Sequence, residues 1–185
     1  MVKITISGFP GAGKTSVGRK VAEKFGCNFY SMGDLRGKMA MEKGMTVDEL
    51  NKVGENESWT DNDVDLYQKE LGVKEDDFVI EGRLSYHFIP QSVKIFLKVD
   101  LEEGAKRIFS DQRDDEDDVD SLGEMADMIR RRIGSDKKRY AKYYGVDCYL
   151  ESEYDVVVDS TRLGIDEVVD VVCREIREKL NENNL

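Results

Sequence analysis

Gly8-Phe9-Pro10-Gly11-Ala12-Gly13-Lys14-Thr15, preceded by the apolar run Val2 to Ile6 and followed by a helical pattern, decides the fold. It reads as a strand, a glycine-rich turn and a helix. In the spacing G-x-x-x-x-G-K-[ST], glycines at 8, 11 and 13 let the chain wrap tightly, so that successive backbone N–H groups point inward at phosphate oxygens. The helix beginning near Lys14 adds the partial positive charge of its N-terminus. The Lys14 ammonium can reach β- and γ-phosphates, and the Thr15 hydroxyl can ligate magnesium. Gly8 to Ser16 is therefore expected to hold a nucleoside triphosphate.

Downstream, short β-branched or aromatic runs alternate with helical patterns: Lys3–Ser7, Asn28–Ser31, Phe78–Glu81, Lys94–Val99 and Asp155–Asp159. Such βα alternation predicts a parallel sheet buried on both faces, with right-handed crossovers that put the glycine-rich loop at the sheet's carboxyl edge. Val17, Val21 and Phe25 form one core-facing stripe on the first helix. Ile165, Val168, Val169, Val172, Ile176 and Leu180 form another on the last.

The chain has 185 residues, enough for one domain carrying small insertions. Lys and Arg total 28 against 39 Asp and Glu, a net charge of -11, which argues against a general nucleic-acid or membrane-surface binder. No apolar run approaches the roughly 20 residues of a membrane span, and the N-terminus enters a core strand directly, so a cytoplasmic protein without a signal peptide is expected. Cys27, Cys148 and Cys173 are far apart and in no metal-ligand spacing, which predicts reduced, structural thiols. The single His87 cannot build a metal site alone.

Three further stretches stand out. Residues 33–71 are longer than a simple crossover requires and are expected to cover a ligand, with Met32, Met39, Met41 and Met45 as soft packing. Within them Thr60 reads as a helix N-cap with Asp63 at capping-box distance; the carboxylates Asp61, Asp63 and Asp65 read as capping and solvation, with substrate binding the alternative. Second, strand three ends in Glu81-Gly82-Arg83. There Glu81 could orient water on a magnesium held by Thr15 while Arg83 turns to a phosphate, or the two could form a strand-end ion pair.

The third stretch is an acidic run, Asp111 to Asp120, followed by the basic segment Arg130 to Lys142, which together read as a mobile lid. Arg132, Asp136 and Arg139 fall at i, i+4 and i+7 on one helical face and would present two guanidiniums to phosphoryl groups; a solvated face with ion pairs is the alternative. The acidic run itself reads as a solvated, partly disordered loop without chemistry.

End to end, the chain resembles the nucleoside monophosphate kinases, most closely the archaeal-type cytidylate kinases. The likeness rests on the Gly8–Thr15 loop, Ser31-Met32-Gly33-Asp34, the Met45–Leu71 insertion, Glu81-Gly82-Arg83-Leu84, Arg132–Tyr140, Tyr143-Tyr144-Gly145-Val146-Asp147 and Tyr154–Thr161. The resemblance implies a three-layer α/β fold with strand order 2-3-1-4-5, a monophosphate-binding part at about 33–71 and a lid at about 107–140. It implies ATP as donor with magnesium, CMP or dCMP as acceptor, no nucleic acid or membrane partner, and a monomer. Lys14, Arg83, Arg132 and Arg139 would be catalytic. The donor would contact Gly8, Phe9, Pro10, Gly11, Ala12, Gly13, Lys14, Thr15, Ser16 and Arg107, with Ser160 to Leu163 beside the adenine. The acceptor would contact Gly33, Asp34, Arg36, Arg83, Asp136 and Arg139, and the metal Thr15 and, through water, Glu81.

Two positions depart from the family's pattern. An arginine three residues after the Gly-Asp pair is replaced by Gly37, between Arg36 and Lys38, and a lid arginine four after Arg107 is replaced by Asp111, with Arg113 displaced nearby. The Lys14-Thr15 pair keeps the general phosphate-loop form, which some archaeal-type relatives do not. Adenylate kinase or another small-molecule kinase is the runner-up within the class, and an ATPase or switch acting on a macromolecule the alternative outside it.

Overall fold

Strand β1 (Val2–Gly8) forms the middle of the molecule because its neighbours in the sheet, β3 (Asp77–Glu81) and β4 (Val93–Lys98), both run parallel to it. The computed structural model describes residues 2–112 and 114–182. Adding β2 (Asn28–Ser31) and β5 (Val156–Asp159) at the edges gives the five-stranded parallel order β2-β3-β1-β4-β5, as the resemblance implied. Each strand lies within a residue or two of its expected place.

Alternation along the strands builds two core layers. Ile4 and Ile6 of β1, Val79 of β3 and Ile95 and Leu97 of β4 face α1 (Lys14–Phe25) and α8 (Ile165–Glu182), packing on Val17, Val21, Val168, Val172 and Ile176. On the opposite face Phe78 and Ile80 meet Met32, Met39, Val64 and Leu71, while Phe96 packs on Tyr86, Tyr140, Tyr149 and Tyr154. Thr5, buried on that second face, is satisfied by the Ser92 hydroxyl at 2.9 Å, as a buried polar group must be. Ile165 departs from the expected core stripe: it is exposed at the first turn of α8.

The expected polar insertion folds as three helices, α2 (Met32–Glu42), α3 (Val47–Gly54) and α4 (Trp59–Lys74). Met32 and Met39 pack inside, whereas Met41 is exposed. A short helix α5 (Ser85–Phe88) follows β3. The second insertion is a helical hairpin, α6 (Leu101–Phe109) and α7 (Leu122–Tyr144), with its own small core of Ala105, Met125, Met128 and Ile129. Ser121 caps α7 at its start, and Gly145, at φ 70°, ends it in the left-handed conformation.

Two local expectations are corrected. The N-cap of α4 is Ser58; Thr60 is already inside the helix, buried, and donates back to the Glu57 carbonyl at 3.2 Å. The acidic run is partly ordered: Asp115 is buried, its carbonyl accepts from the Val47 amide at 2.8 Å, and Glu116 is held by Arg132. Arg113 lies outside the described residues. All three cysteines are free thiols, and no described helix is long and apolar enough to cross a membrane.

Candidate active site

The carboxyl ends of β1, β2, β3 and β5 open into a cavity of about 870 Å³, roofed by the two helical insertions. At its centre lies the loop from Gly8 to Thr15. A side chain on Gly11, at φ 77°, would run 2.5 Å from the backbone of Gly104 in α6, so only glycine lets loop and helix meet. Gly13 begins α1 at φ 82° with no side-chain cap and no acid in the first turn, which leaves that helix end electropositive.

Lys14 Nζ donates to the Phe9 carbonyl at 2.9 Å across the loop. Burial, reinforced by the nearby Arg83 charge, lowers its pKa to about 7. Beside it the Thr15 and Ser31 hydroxyls both donate to Glu81 Oε1, at 3.3 and 2.5 Å, and Glu81 is buried. Glu81 does not pair with Arg83. Instead Arg83 turns away along the cavity, donating from Nη1 to the Gly8 carbonyl at 3.0 Å and from Nε to Asp136 at 2.9 Å.

Asp136 is the hub of the polar cluster beyond Arg83. Oδ2 takes Arg83 and the Tyr149 hydroxyl, and Oδ1 takes Arg139 Nη2 at 2.7 Å. Burial alone would raise its pKa, but Arg83 and Arg139 hold it below the usual carboxylate range. Arg139, 1% exposed, also pairs with Asp61 at 2.7 Å, and Arg36 reaches the same carboxylate at 2.8 Å. Two donors in this cluster, Arg36 Nη2 and Arg139 Nε, are buried without a protein partner among the described residues.

The expected helical face therefore exists, but its three residues divide. Asp136 and Arg139 join Arg83, whereas Arg132 points to the insertion, bonded through Nε and Nη2 to Asp48 of α3 and through Nη1 to Glu116. Arg107 lies where the donor's base was expected: its Nη1 donates to Gly11 O and Ser160 Oγ, and its Nη2 to the carbonyls of Ser160 and Thr161. Gly33 and Asp34 line the cavity, with Asp34 also paired to Arg19. At Gly37, where the resemblance expects an arginine, a Cβ would collide with the Asp115 carboxylate, and the neighbouring Arg36 guanidinium lies in the cavity wall, bonded to Asp61 at 2.8 Å.

For Asp61 and Asp65 the favoured reading as capping and solvated carboxylates is corrected, and the alternative that turns them to the cavity fits better. They are buried on the cavity side of α4, with only Asp63 left in solvent as a capping and solvation reading requires. Asp61, Asp65 and Gln68 recur at i, i+4 and i+7, a buried helical face hidden by its polarity.

A phosphate loop at the edge of a parallel 2-3-1-4-5 sheet, facing a cluster of arginines under two helical insertions, defines a small-molecule phosphate-loop kinase fold. In agreement, the shikimate kinase of Bacteroides thetaiotaomicron superposes with a TM-score of 0.66 over 95% of this chain and 98% of its own, at 17% identity. The sequence description of the cytidylate kinase-like family matches residues 3–162, and the chain belongs to that family. It is 35% identical to the cytidylate kinase of Archaeoglobus fulgidus over 96% of both chains. To that of Methanocella arvoryzae it is 34% identical, over 95% of this chain and 97% of the other.

Proposed function

We propose that the protein transfers the γ-phosphoryl group of ATP to CMP or dCMP. The observation that carries this reading is the cavity itself, in which the phosphate loop opens directly onto Arg83, Arg36 and Arg139 and a set of base-sized polar groups. A switch or ATPase acting on a macromolecule needs a partner surface there instead.

The acceptor's phosphate oxygen is already a nucleophile. It attacks the γ-phosphorus while the bond to the ADP oxygen breaks, and ADP leaves with the electron pair, so no strong base is needed. Catalysis then rests on alignment and charge neutralisation. Lys14 and the amides of Gly11 to Ser16 hold the donor phosphates, Arg107 and the Ser160–Leu163 turn border its base, and Arg83 lies between donor and acceptor. Arg36 and Arg139 offer their open donors to the acceptor nucleotide, with Asp34, Gly33 and Asp136 shaping its seat. Arg132 would approach the transferring group.

Magnesium fits the pairing of the Thr15 hydroxyl with the buried Glu81 carboxylate, because it needs few protein ligands and keeps most of its waters. When bound it would neutralise charge on the β- and γ-phosphates. Residues 33–71 serve as the monophosphate-binding part and 107–140 as a lid that excludes water from one domain. The protein works as a cytoplasmic monomer.

Titrating CMP, dCMP, UMP, AMP and GMP against ADP formation tests the reading. CMP and dCMP are expected to give the highest kcat/KM, and ATP hydrolysis without acceptor to be slow. Acceptor-independent hydrolysis at the same rate would support an ATPase, and equal use of AMP an adenylate kinase.

A further inference from the structure

Three polar side chains of the cavity wall, Asp61, Asp65 and Gln68, differ in how far their hydrogen-bonding groups are engaged. Asp61 is engaged on both oxygens: Oδ1 accepts from Arg36 and Arg139, and Oδ2 from Arg139, with the Thr60 hydroxyl, shared with the Glu57 carbonyl, 3.1 Å away. One helical turn on, Asp65 accepts the Tyr144 hydroxyl on Oδ2, and Oδ1 accepts no hydrogen bond among the described residues. A further turn on, Gln68 Oε1 accepts from Ser85 Oγ at 2.7 Å, which commits the other end of that buried amide to donate. The cavity wall thus offers an acceptor at Asp65 next to a donor at Gln68, on residues three apart that share a helix face.

Cytosine presents the complement of that pair, an exocyclic amino donor beside a ring nitrogen acceptor. Uracil presents the reverse, a carbonyl oxygen beside a ring N–H. We propose that Asp65 accepts the exocyclic amino group of the acceptor base and so selects cytosine against uracil. The assignment rests on the acceptor reading above and adds to it the residue that reads the base. Uracil would set its carbonyl oxygen against a buried carboxylate and leave both Asp65 and Gln68 unpaired, which is where large discrimination arises.

Tyr144 holds the carboxylate in place, and its ring is itself wedged among His87, Phe88 and Tyr140. Burial raises the Asp65 pKa to about 6, against the pull of the Tyr144 hydrogen bond. The groups acting on it are Asp61 and Lys69 on α4, Arg36 on α2 and Tyr144 on α7; Tyr140 and the exposed His87 of α5 lie against the Tyr144 ring, and Arg139 reaches Asp61. Above that pKa the carboxylate accepts an amino proton. Below it, the protonated acid becomes a donor that suits a carbonyl oxygen, so selectivity falls on acidification.

The test is the ratio of kcat/KM for CMP to that for UMP, in which the shared titration of the two monophosphates cancels. In the wild type it is expected to fall about four-fold from pH ~7.5 to ~5.5. His87→Gln should leave that fall in place, and Tyr144→Phe should move its midpoint upward. Asp65→Asn should lower the ratio by roughly 100-fold, with UMP gaining as CMP loses, and remove its pH dependence. A variant in which CMP and UMP fall equally has only lost structure and overturns the assignment. If Asp65→Asn does not fold, a wild-type ratio flat from pH ~7.5 to ~5.5 overturns it just as well. Adenine presents the same amino and ring-nitrogen pair as cytosine. An enzyme that prefers AMP would therefore overturn the cytidylate reading alone, and Asp65 would then be judged by the ratio of AMP to GMP.

Discussion

Arg83 and Asp136 are joined from Nε to Oδ2 at 2.9 Å, and this pair ties the end of β3 to the middle of α7 across the floor of the cavity. Asp136 passes its other oxygen to Arg139, so one buried carboxylate balances two guanidiniums. Asp136→Ala would strand the Arg83 charge and leave Arg139 with Asp61 as its remaining carboxylate, and a loss of about 3–5 kcal/mol in urea unfolding is expected. The same group sets an acid limit. Its folded pKa lies below its unfolded value, so its contribution is present above the unfolded pKa and lost as pH falls through the folded one. The wild type should therefore lose more stability on acidification than Asp136→Asn, measured by urea midpoints.

Lys14 makes donor binding depend on pH near neutrality. Its pKa of about 7 must rise when phosphates arrive, so ATP binding takes up a proton above pH ~7, and affinity should fall by up to tenfold per pH unit there. Calorimetry in two buffers of different ionisation heat reads the uptake. Lys14→Ala should abolish it and lower turnover by several orders of magnitude, because a poorly screened transition-state contact is lost. The fold should survive. A lysine with a folded pKa below its unfolded value is a cost below pH ~7 that fades as pH rises, so removing it should not lower the urea midpoint at pH ~6.

What was legible in the sequence was whatever obeys a local rule. The Gly8–Thr15 spacing and the β-branched runs gave the loop and all five strands, because strand burial on both faces writes itself as continuous apolar sequence. The Arg132, Asp136 and Arg139 face was legible from helical period alone. For Asp61, Asp65 and the acidic run around Asp115 the favoured reading as solvated or capping carboxylates fails, because an acid's partner is set by tertiary contact. Thr60, Asp61 and Asp65 next to a helix start look like capping residues until Arg36 and Arg139 arrive from α2 and α7. The division of the α7 face between Asp136 and Asp48 likewise depends on where α3 packs.

Arg36 is expected to stand in for the arginine that the resemblance places one residue later. Its Nε and Nη1 are engaged by Asn51, Thr60 and Asp61, which leaves Nη2 as the open donor. Arg36→Lys keeps a charge for Asp61 but cannot supply the third direction of the planar fork. The acceptor KM should rise roughly tenfold, the cost of one charge-assisted hydrogen bond, with the ATP KM unchanged. Equal rises in both would place Arg36 in the general shape of the cavity. Gly37→Arg should not compensate, because its side chain begins inside the Asp115 carboxylate.

Arg132 poses the sharpest question, because the resemblance makes it catalytic while its hydrogen bonds among the described residues go to Asp48 and Glu116. Those bonds fasten α7 to α3 and to the acidic run, and Glu116 and Arg132 both line the cavity. If Arg132 is only a strut, removing its partners should cost as much as removing Arg132 itself. If it leaves them to spread charge on the phosphoryl group, the two changes separate. Arg132→Ala is then expected to lower kcat by about 10³-fold, the lower end for a transition-state arginine, with little change in either KM. The double variant Asp48→Asn, Glu116→Gln should keep kcat within about tenfold of the wild type, since neutral amides still hold the helix but no longer compete for the guanidinium charge. Steady-state kinetics on the three proteins decides it: equal losses in kcat would make Arg132 a structural cross-link and leave Arg83 and Lys14 to carry the charge of the transition state.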